Sequence, residues 1–163
     1  MTYVLDSVDR QIIRILQQDG RASNVDIARQ VGVSEATVRK RLERMLSARM
    51  LRVTAVPDAA RVGFSTIALM TLTVDLARGR QIADQIARLP EVRTVHLTTG
   101  GSELIVEAWF TSSDELLRFM TQEIGPISGI RRTNTVHVLK TIKDGSDWLL
   151  PTGSHIVDSA GAH

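Results

Sequence analysis

The sequence contains no cysteine, which excludes a disulfide, a thiolate zinc site and a catalytic thiol. Its four histidines, at positions 96, 137, 155 and 163, lack the close spacing of metal-ligand motifs. The sequence therefore predicts no metal and no cofactor. It also lacks a paired nucleophile and base, a phosphate-binding loop and a cluster of catalytic carboxylates, so we expect that the chain is not an enzyme.

Long apolar runs are missing as well. No segment approaches the roughly 18 apolar residues that a membrane-spanning helix needs. The first six residues have neither the basic start nor the hydrophobic core of a secretion signal. We therefore expect a cytoplasmic protein that has no membrane partner.

The charge of the chain is unevenly distributed. Residues 1–55 contain ten Lys and Arg against six Asp and Glu, a net charge of +4, whereas the remainder contains ten and twelve, a net charge of −2. A length of 163 residues leaves room for two small domains. A basic first domain and a mildly acidic second one indicate that only the first meets a polyanion.

Three short helices are predicted in the first domain, each with apolar residues at the spacing of an amphipathic helix. Their predicted N-caps are Asp6, then Ser23 or Asn24, then Ser34. Gly32 lies between the second and third helices, where a tight turn requires a residue that tolerates positive φ. This spacing is typical of a helix-turn-helix.

The third helix carries a polar, basic face opposite its apolar stripe, and this face suits the major groove of DNA. Thr37 and Arg41 are the predicted contacts to base edges, and basic side chains and helix starts nearby are predicted to bind phosphates. The full predicted DNA-binding set is Asn24, Ser34, Ala36, Thr37, Arg39, Lys40, Arg41, Arg44, Arg49 and Arg52. The alternative is that this basic run is only a solvated helix face.

A β-like segment, residues 51–56, follows the third helix and predicts the strand of a wing, close to Arg49 and Arg52. A winged helix-turn-helix is therefore predicted over residues 1–56. The break at Pro57 predicts a linker over residues 57–65.

The remaining sequence predicts a second domain over residues 66–143 and a tail over residues 144–163. Its elements follow the order β-α-β-β-α-β, with strands near residues 65–75, 92–99, 103–110 and 130–142. This order is typical of a ferredoxin-like sandwich, in which two helices cover one face of a four-stranded antiparallel sheet. The fold class is thus α+β.

Both faces of the predicted strands are apolar, although one face of such a sheet has no covering helix. Leu69 and Ile105 alternate along their strands with apolar residues that point the other way. An uncovered apolar sheet face usually marks an interface, so we expect a homodimer formed sheet to sheet. Its symmetry would present two recognition helices to a palindromic DNA site.

Several motifs resemble the leucine-responsive/asparagine-regulator (Lrp/AsnC) family of bacterial and archaeal transcription factors. In the first domain these are Leu5-Asp6-x-x-Asp9-Arg10, Asp19-Gly20-Arg21-x-Ser23, Ile27-Ala28-x-x-Val31-Gly32-Val33-Ser34 and Thr37-Val38-x-x-Arg41-Leu42. In the second they are Pro90-Glu91-Val92, Thr99-Gly100 and Gly129-Ile130. The resemblance implies a DNA-binding regulator with an amino-acid-sensing domain. It also implies dimers that assemble into tetramers, octamers or larger rings, with an amino acid or similar metabolite bound between dimers.

The resemblance places the effector site at the turn between the second and third strands. The implied residues are Thr98, Thr99, Gly100, Gly101, Ser102 and Glu103, with Thr133 and Thr135 of the last strand as further candidates. Exposed backbone N–H groups of a glycine-rich turn suit a carboxylate, and Glu103 suits an ammonium group. Two alternatives remain: a plain hairpin turn, and an effector-independent, oligomeric regulator with an architectural role on DNA.

Two positions depart from the family pattern. Glu103 stands where the family usually has Asp, and its extra methylene puts the ligand selectivity in doubt. Arg49 stands where the family favours Gly after the recognition helix. A non-Gly residue in the left-handed conformation costs roughly 1 kcal/mol, so either the helix ends differently or Arg49 is recruited to a phosphate.

Overall fold

The computed structural model describes residues 4–100 and 103–143. These residues divide into two compact units, and the boundary falls between Val56 and Pro57. The second unit runs from Pro57 to Ile142. Within the described part of the chain, no helix is long and apolar enough to span a membrane.

The first unit contains three α-helices. They are α1 (Ser7–Gln18), α2 (Asn24–Val31) and α3 (Glu35–Ser47). Their inward stripes form a core whose fully buried members include Ile12, Ile27, Val38 and Met45. The three predicted helices are confirmed.

The N-caps of these helices are the residues that the sequence indicates, with Ser23 chosen over Asn24. The Asp6 carboxylate accepts from the Asp9 backbone N–H, and the Ser23 hydroxyl accepts from the Asp26 N–H. Gly32 ends α2 in the left-handed conformation with φ 78°, and its N–H donates to the Ala28 carbonyl at 2.9 Å. The helix-turn-helix is therefore present as predicted.

Arg49 also adopts the left-handed conformation, with φ 54°. The Met50 N–H donates to the Met45 carbonyl at 2.9 Å, and the Arg49 N–H donates to Leu46 at 3.0 Å. These are the two hydrogen bonds of a Schellman motif, a helix end in which glycine usually occupies the left-handed position. Helix α3 thus ends in a Schellman motif, with Arg49 at the position that favours glycine.

The predicted wing strand over residues 51–56 is wrong as a strand, because the structure gives this segment no regular secondary structure. A β-strand needs a neighbouring strand to bond its backbone N–H and C=O groups. Among the described residues no strand pairs with this segment, since the sheet is formed by four later strands. Alternating side chains alone therefore do not make it a strand.

The second unit is an antiparallel sheet with helical segments. Its elements are β1 (Thr66–Val74), a 3₁₀ turn (Leu76–Arg78), α4 (Gly79–Ile86), β2 (Val92–Leu97), β3 (Leu104–Phe110), α5 (Ser113–Arg118), a π-helical turn (Phe119–Ile124) and β4 (Ile130–His137). The strand order is β2-β3-β1-β4, and every neighbouring pair is antiparallel. This arrangement is the predicted ferredoxin-like sandwich.

Two boundaries differ from the sequence expectation. The predicted last strand extends to residue 142, but β4 ends at His137, which pairs with Ala68 near the start of β1. After the Val138 N–H donates to the Ile67 carbonyl, β1 has almost no residues left with which residues 139–142 could pair. The predicted linker, residues 57–65, belongs to the second unit and contains a hydrogen-bonded turn, with Phe64 N–H donating to Ala59.

The helical segments cover one face of the sheet, and the core lies between them. Met70, Leu72, Val106 and Phe110 are fully buried on that covered face. On the other face, Leu69, Ile105 and Val136 expose 37%, 38% and 51% of their surface. The β1–β3 and β1–β4 registers place these three side chains on one face, so an apolar patch lies on the uncovered side of this subunit.

Candidate DNA-binding surface and effector turn

The exposed face of α3 is the first candidate site. Ala36, Arg39, Lys40, Glu43 and Arg44 are exposed, at the spacing of one helical face. The opposite face is held in the core by the buried Val38 and Met45. This packing fixes which side of α3 is open to a partner, and that side carries three basic side chains, Arg39, Lys40 and Arg44.

The start of α3 presents donors that are suited to an anion. The Ser34 hydroxyl accepts the Thr37 N–H at 3.2 Å and lies 2.8 Å from the Thr37 hydroxyl. Ser34 is exposed and Thr37 is half-buried. A helix N-terminus carries a partial positive charge, which favours a phosphate. Asn24 occupies the first helical position of α2 and is half-buried.

The remaining basic candidates lie on the surface. Arg39 forms an ion pair with Glu35 one turn earlier in α3. Arg49 is exposed at the C-terminal end of α3, and Arg52 is exposed in the segment that follows. An exposed i,i+4 ion pair is weak, so Arg39 can turn toward another anion at little cost.

The Arg41 side chain contacts two acidic residues at the start of α1. Its Nη1 donates to Asp6 Oδ2 at 2.7 Å and to Asp9 Oδ1 at 2.9 Å. The Arg41 side chain is 26% exposed, and that of Asp9 is completely buried. The guanidinium therefore turns toward α1 and away from the exposed face of α3, where the sequence places a contact to a base edge.

The same contacts shift the pKa values of Asp6 and Arg41. The pKa of Asp6 is lowered, first because the Asp9 backbone N–H donates to its carboxylate and then because Arg41 stands beside it. The pKa of Arg41 is raised by its hydrogen bonds to Asp9 and Asp6, which stabilise the charged guanidinium. Both shifts favour the charged forms of Asp6 and Arg41.

The second candidate site is the turn between β2 and β3. The Thr98 N–H donates to the Glu103 carbonyl at 2.9 Å, which closes the hairpin. Gly100 has φ 118°, a conformation that a residue with a Cβ rarely adopts. Thr99 and Gly100 are exposed, whereas Gly101 and Ser102 lie outside the described residues.

Glu103 is partly engaged within its own subunit. Its Oε2 accepts the Val74 backbone N–H at 3.0 Å, at the end of β1. Its own N–H donates to the Leu72 carbonyl at 3.1 Å. A carboxylate can accept several hydrogen bonds, so this contact still leaves capacity for a ligand donor.

Thr133 and Thr135 are not adjacent to the turn. In the sheet, Leu72 separates Thr133 from Leu104, so Thr133 lies two strands, roughly 10 Å, from β3. Thr135 is half-buried on the covered face, with its hydroxyl 3.8 Å from the Met120 sulfur. Among the described residues, Thr133 and Thr135 therefore lie on a different strand from those that flank the turn.

Two family models match the chain. The AsnC-type helix-turn-helix domain matches residues 5–46, and the Lrp/AsnC ligand binding domain matches residues 67–148. The chain belongs to the Lrp/AsnC family of transcriptional regulators. The first match contains α1, α2 and all but the last residue of α3, and the second begins at the second residue of β1.

Curated Lrp/AsnC relatives extend over nearly the whole chain. An HTH-type transcriptional regulator of Pyrococcus abyssi is 34% identical over 140 residues, which are 85% of this chain and 88% of the relative. The HTH-type transcriptional regulator FL11 of Pyrococcus horikoshii is 32% identical over 148 residues, 90% of this chain and 97% of the relative. Both relatives are named as transcriptional regulators with a helix-turn-helix.

Solved structures of the Lrp/AsnC type share the fold. Escherichia coli AsnC superposes with a TM-score of 0.80 at 24% identity, covering 86% of this chain and 96% of AsnC. A transcriptional regulator from Neisseria meningitidis, in complex with L-Met, superposes with a TM-score of 0.79 at 25% identity, covering 85% and 92%.

One feature of the site is missed by the sequence reasoning. Asp6 and Asp9 are recognised as the start of a helix, yet their shared partner, Arg41, lies more than 30 residues later. Helix-capping patterns contain no information on a contact at that separation. The quoted motifs contain Asp6, Asp9 and Arg41, but a motif does not indicate which of its residues are in contact.

Proposed function

We propose that this Lrp/AsnC protein is a sequence-specific DNA-binding transcriptional regulator whose DNA binding or assembly is modulated by an amino acid or related small metabolite. The observation that carries the proposal is the combination, in one chain, of an exposed basic face on α3 and an Lrp/AsnC ligand binding domain. A cytoplasmic location is proposed with it, since the regulator must reach DNA.

The proposed DNA contacts divide into two classes. Thr37, with the exposed Ala36 beside it, would face base edges at the start of α3. Phosphate contacts would come from exposed basic side chains and from helix starts; these are Asn24, Ser34, Arg39, Lys40, Arg44, Arg49 and Arg52.

The proposed assembly begins with a homodimer through the uncovered sheet face. Leu69, Ile105 and Val136 expose apolar surface there, and a two-fold contact between copies would bury it. Such a dimer would present two α3 helices to a palindromic site. Tetramers, octamers or larger rings would form from dimers, with the effector between them.

The proposed effector site centres on the β2–β3 turn. Glu103 would accept the ammonium group of an amino acid, and backbone N–H groups of residues 99–102 would donate to its carboxylate. Thr133 and Thr135, on β4, are further candidates for contacts to the ligand, either within this subunit or from another one. The Neisseria meningitidis neighbour in complex with L-Met makes this amino acid the first to test.

A thermal-shift screen tests the effector proposal, because a ligand that binds the folded state raises the melting temperature. We expect one or more amino acids to stabilise the full chain. Glu103→Gln should abolish that shift, since an amide still accepts the Val74 N–H but has no charge to pair with an ammonium. Glu123→Ala, exposed on the π-helical turn, is the control that keeps the shift.

One observation favours a second candidate, an effector-independent architectural regulator. The Glu103 carboxylate already has a structural role within its own subunit, at the end of β1. If that is its only role, no amino acid will raise the melting temperature, while DNA will still do so. This result would reject the sensor and retain the DNA-binding regulator.

A further inference from the structure

Arg41 connects the middle of α3 to the start of α1. Its Nη1 lies 2.7 Å from an oxygen of Asp6 and 2.9 Å from an oxygen of Asp9. These two acidic residues precede Arg41 by 35 and 32 positions. The contact is therefore a tertiary one between two helices of the first unit.

The oxygens of the two carboxylates are divided between two tasks. Asp6 Oδ1 accepts the Asp9 N–H at 2.9 Å, and Asp9 Oδ2 accepts the Asp6 N–H at 3.1 Å, which together form the capping box of α1. The other oxygen of each carboxylate accepts from Arg41. A guanidinium Nη carries two N–H groups, so both donors of Nη1 are used.

This arrangement is costly to open. The Asp9 side chain is completely buried, and removing Arg41 from it would take a charged donor away from a buried carboxylate. An arginine that reads guanine in the major groove presents two free donors at once. Recruiting the Nη1 donors to DNA would break this contact, and the Nε and Nη2 donors belong to a planar guanidinium that Nη1 holds against α1.

We infer that Arg41 is a positioning residue: together with Asp9 it fixes α3 against α1, so that the exposed residues of α3 meet the bases in one register, and Arg41 itself does not contact DNA. The inference rests on the proposed use of α3 as the DNA-reading helix. The buried Asp9 carboxylate of α1 would thereby contribute to the discrimination between DNA sequences.

The test compares specific and random DNA. The full chain is titrated against a duplex enriched by the wild type from a randomised pool and against a shuffled duplex, at several salt concentrations. The variants are Arg41→Lys, Arg41→Gln and Asp9→Asn, with circular dichroism to establish that each is folded at the temperature used. Arg80→Gln, which removes an exposed arginine paired with Asp84 in the second unit, is the control.

We expect Asp9→Asn to reproduce the effect of Arg41→Gln. Both should lose about tenfold in affinity for the selected duplex and little for the shuffled one, which corresponds to a loss of base readout. The salt slope of Arg41→Gln should equal that of the wild type. A direct phosphate contact predicts instead that the slope falls by about one.

Two outcomes overturn the inference. One is Asp9→Asn binding with wild-type discrimination while Arg41→Gln loses it, because a buried residue of α1 would then be irrelevant. The other is a reduced salt slope in Arg41→Gln. If Asp9→Asn does not fold, Asp6→Asn, which changes the half-exposed member of the pair, is compared in the same way. A wild-type chain that binds no duplex would instead refute the proposed DNA-binding function.

Discussion

The Arg41 guanidinium and the Asp9 carboxylate are joined by a 2.9 Å hydrogen bond between α3 and α1. The Asp9 side chain has no exposed surface, whereas the neighbouring Asp6 side chain is 50% exposed. The helix that would read DNA is thus attached to two acids at the start of α1, and the pKa of one of them, Asp6, is lowered by the Asp9 backbone N–H and by Arg41. The stability of the first unit should therefore depend on acid pH through Asp6.

We predict that the first unit loses stability as pH falls below the ordinary pKa of an aspartate, 3.8. The folded pKa of Asp6 is lowered, so its contribution is complete above the unfolded value and disappears as pH falls through the folded value. Thermal unfolding followed by circular dichroism between pH 7 and pH 3 measures this change.

Asp6→Asn should flatten the pH dependence of that transition, because the titrating group is gone. Asp84→Asn, exposed on α4 in the second unit, should leave it as in the wild type. An Asp6→Asn variant with the full wild-type pH dependence would show that other groups carry it.

Replacing Arg49 by glycine should stabilise the first unit. Arg49 has φ 54°, and glycine adopts this conformation without steric cost. We expect Arg49→Gly to raise the free energy of unfolding by about 0.5–1 kcal/mol, since the flexibility that glycine adds to the unfolded chain offsets part of the gain. Urea denaturation measures the change.

Gly32→Ala is the matched opposite of that substitution. Gly32 also has positive φ, and an added Cβ would meet no atom within 4 Å, so its cost is conformational alone. We expect a loss of about 1 kcal/mol. A destabilised Arg49→Gly variant would mean that the arginine side chain contributes more than its backbone conformation costs.

Lys40→Ala should weaken DNA binding and reduce its salt dependence. Lys40 is exposed on α3, and one lost phosphate contact lowers the slope of log affinity against log salt by about one. Fluorescence anisotropy at several salt concentrations measures both quantities. Lys140→Ala, an exposed lysine beyond β4, is the control with the same change of charge. Equal slopes for the two variants would remove Lys40 from the DNA contacts.

Leu69→Lys should dissociate the proposed dimer. Leu69 is 37% exposed on the uncovered sheet face, where a second copy would bury it and a lysine would be desolvated. Sedimentation velocity should show a smaller species than the wild type. Leu117→Lys, which changes a leucine 62% exposed on α5, should keep the wild-type mass. An unchanged mass for Leu69→Lys would place the interface elsewhere.

The helices and strands could largely be predicted because their signals are local. Asp6, Ser23 and Ser34 cap the three helices of the first unit, and Gly32 takes the predicted positive φ. The βαββαβ order follows from the alternation of short apolar segments and turns. The sheet order depends on long-range pairing, and there the known ferredoxin-like arrangement supplies what the sequence does not contain.

What the sequence could not supply is which polar groups find each other across the fold. Arg41 has the charge of a DNA contact and lies on the helix predicted to read DNA, but a buried carboxylate on α1 binds it. Residues 51–56 have the pattern of a strand but no partner to pair with among the described residues. For Arg41 a tertiary contact is present, and for residues 51–56 a partner strand is absent from the described part of the chain. In both cases this outweighs the structure that the local sequence favours.

The exposed face of α3 as the DNA-reading surface is the central claim, and Ala36→Glu tests it most directly. Ala36 is exposed in the first turn of α3, so a glutamate there leaves the core intact and favours the helix start while it repels phosphates. Anisotropy with the selected duplex at fixed salt should show binding reduced about tenfold or more, with an unchanged melting temperature. Wild-type affinity in Ala36→Glu would contradict the account.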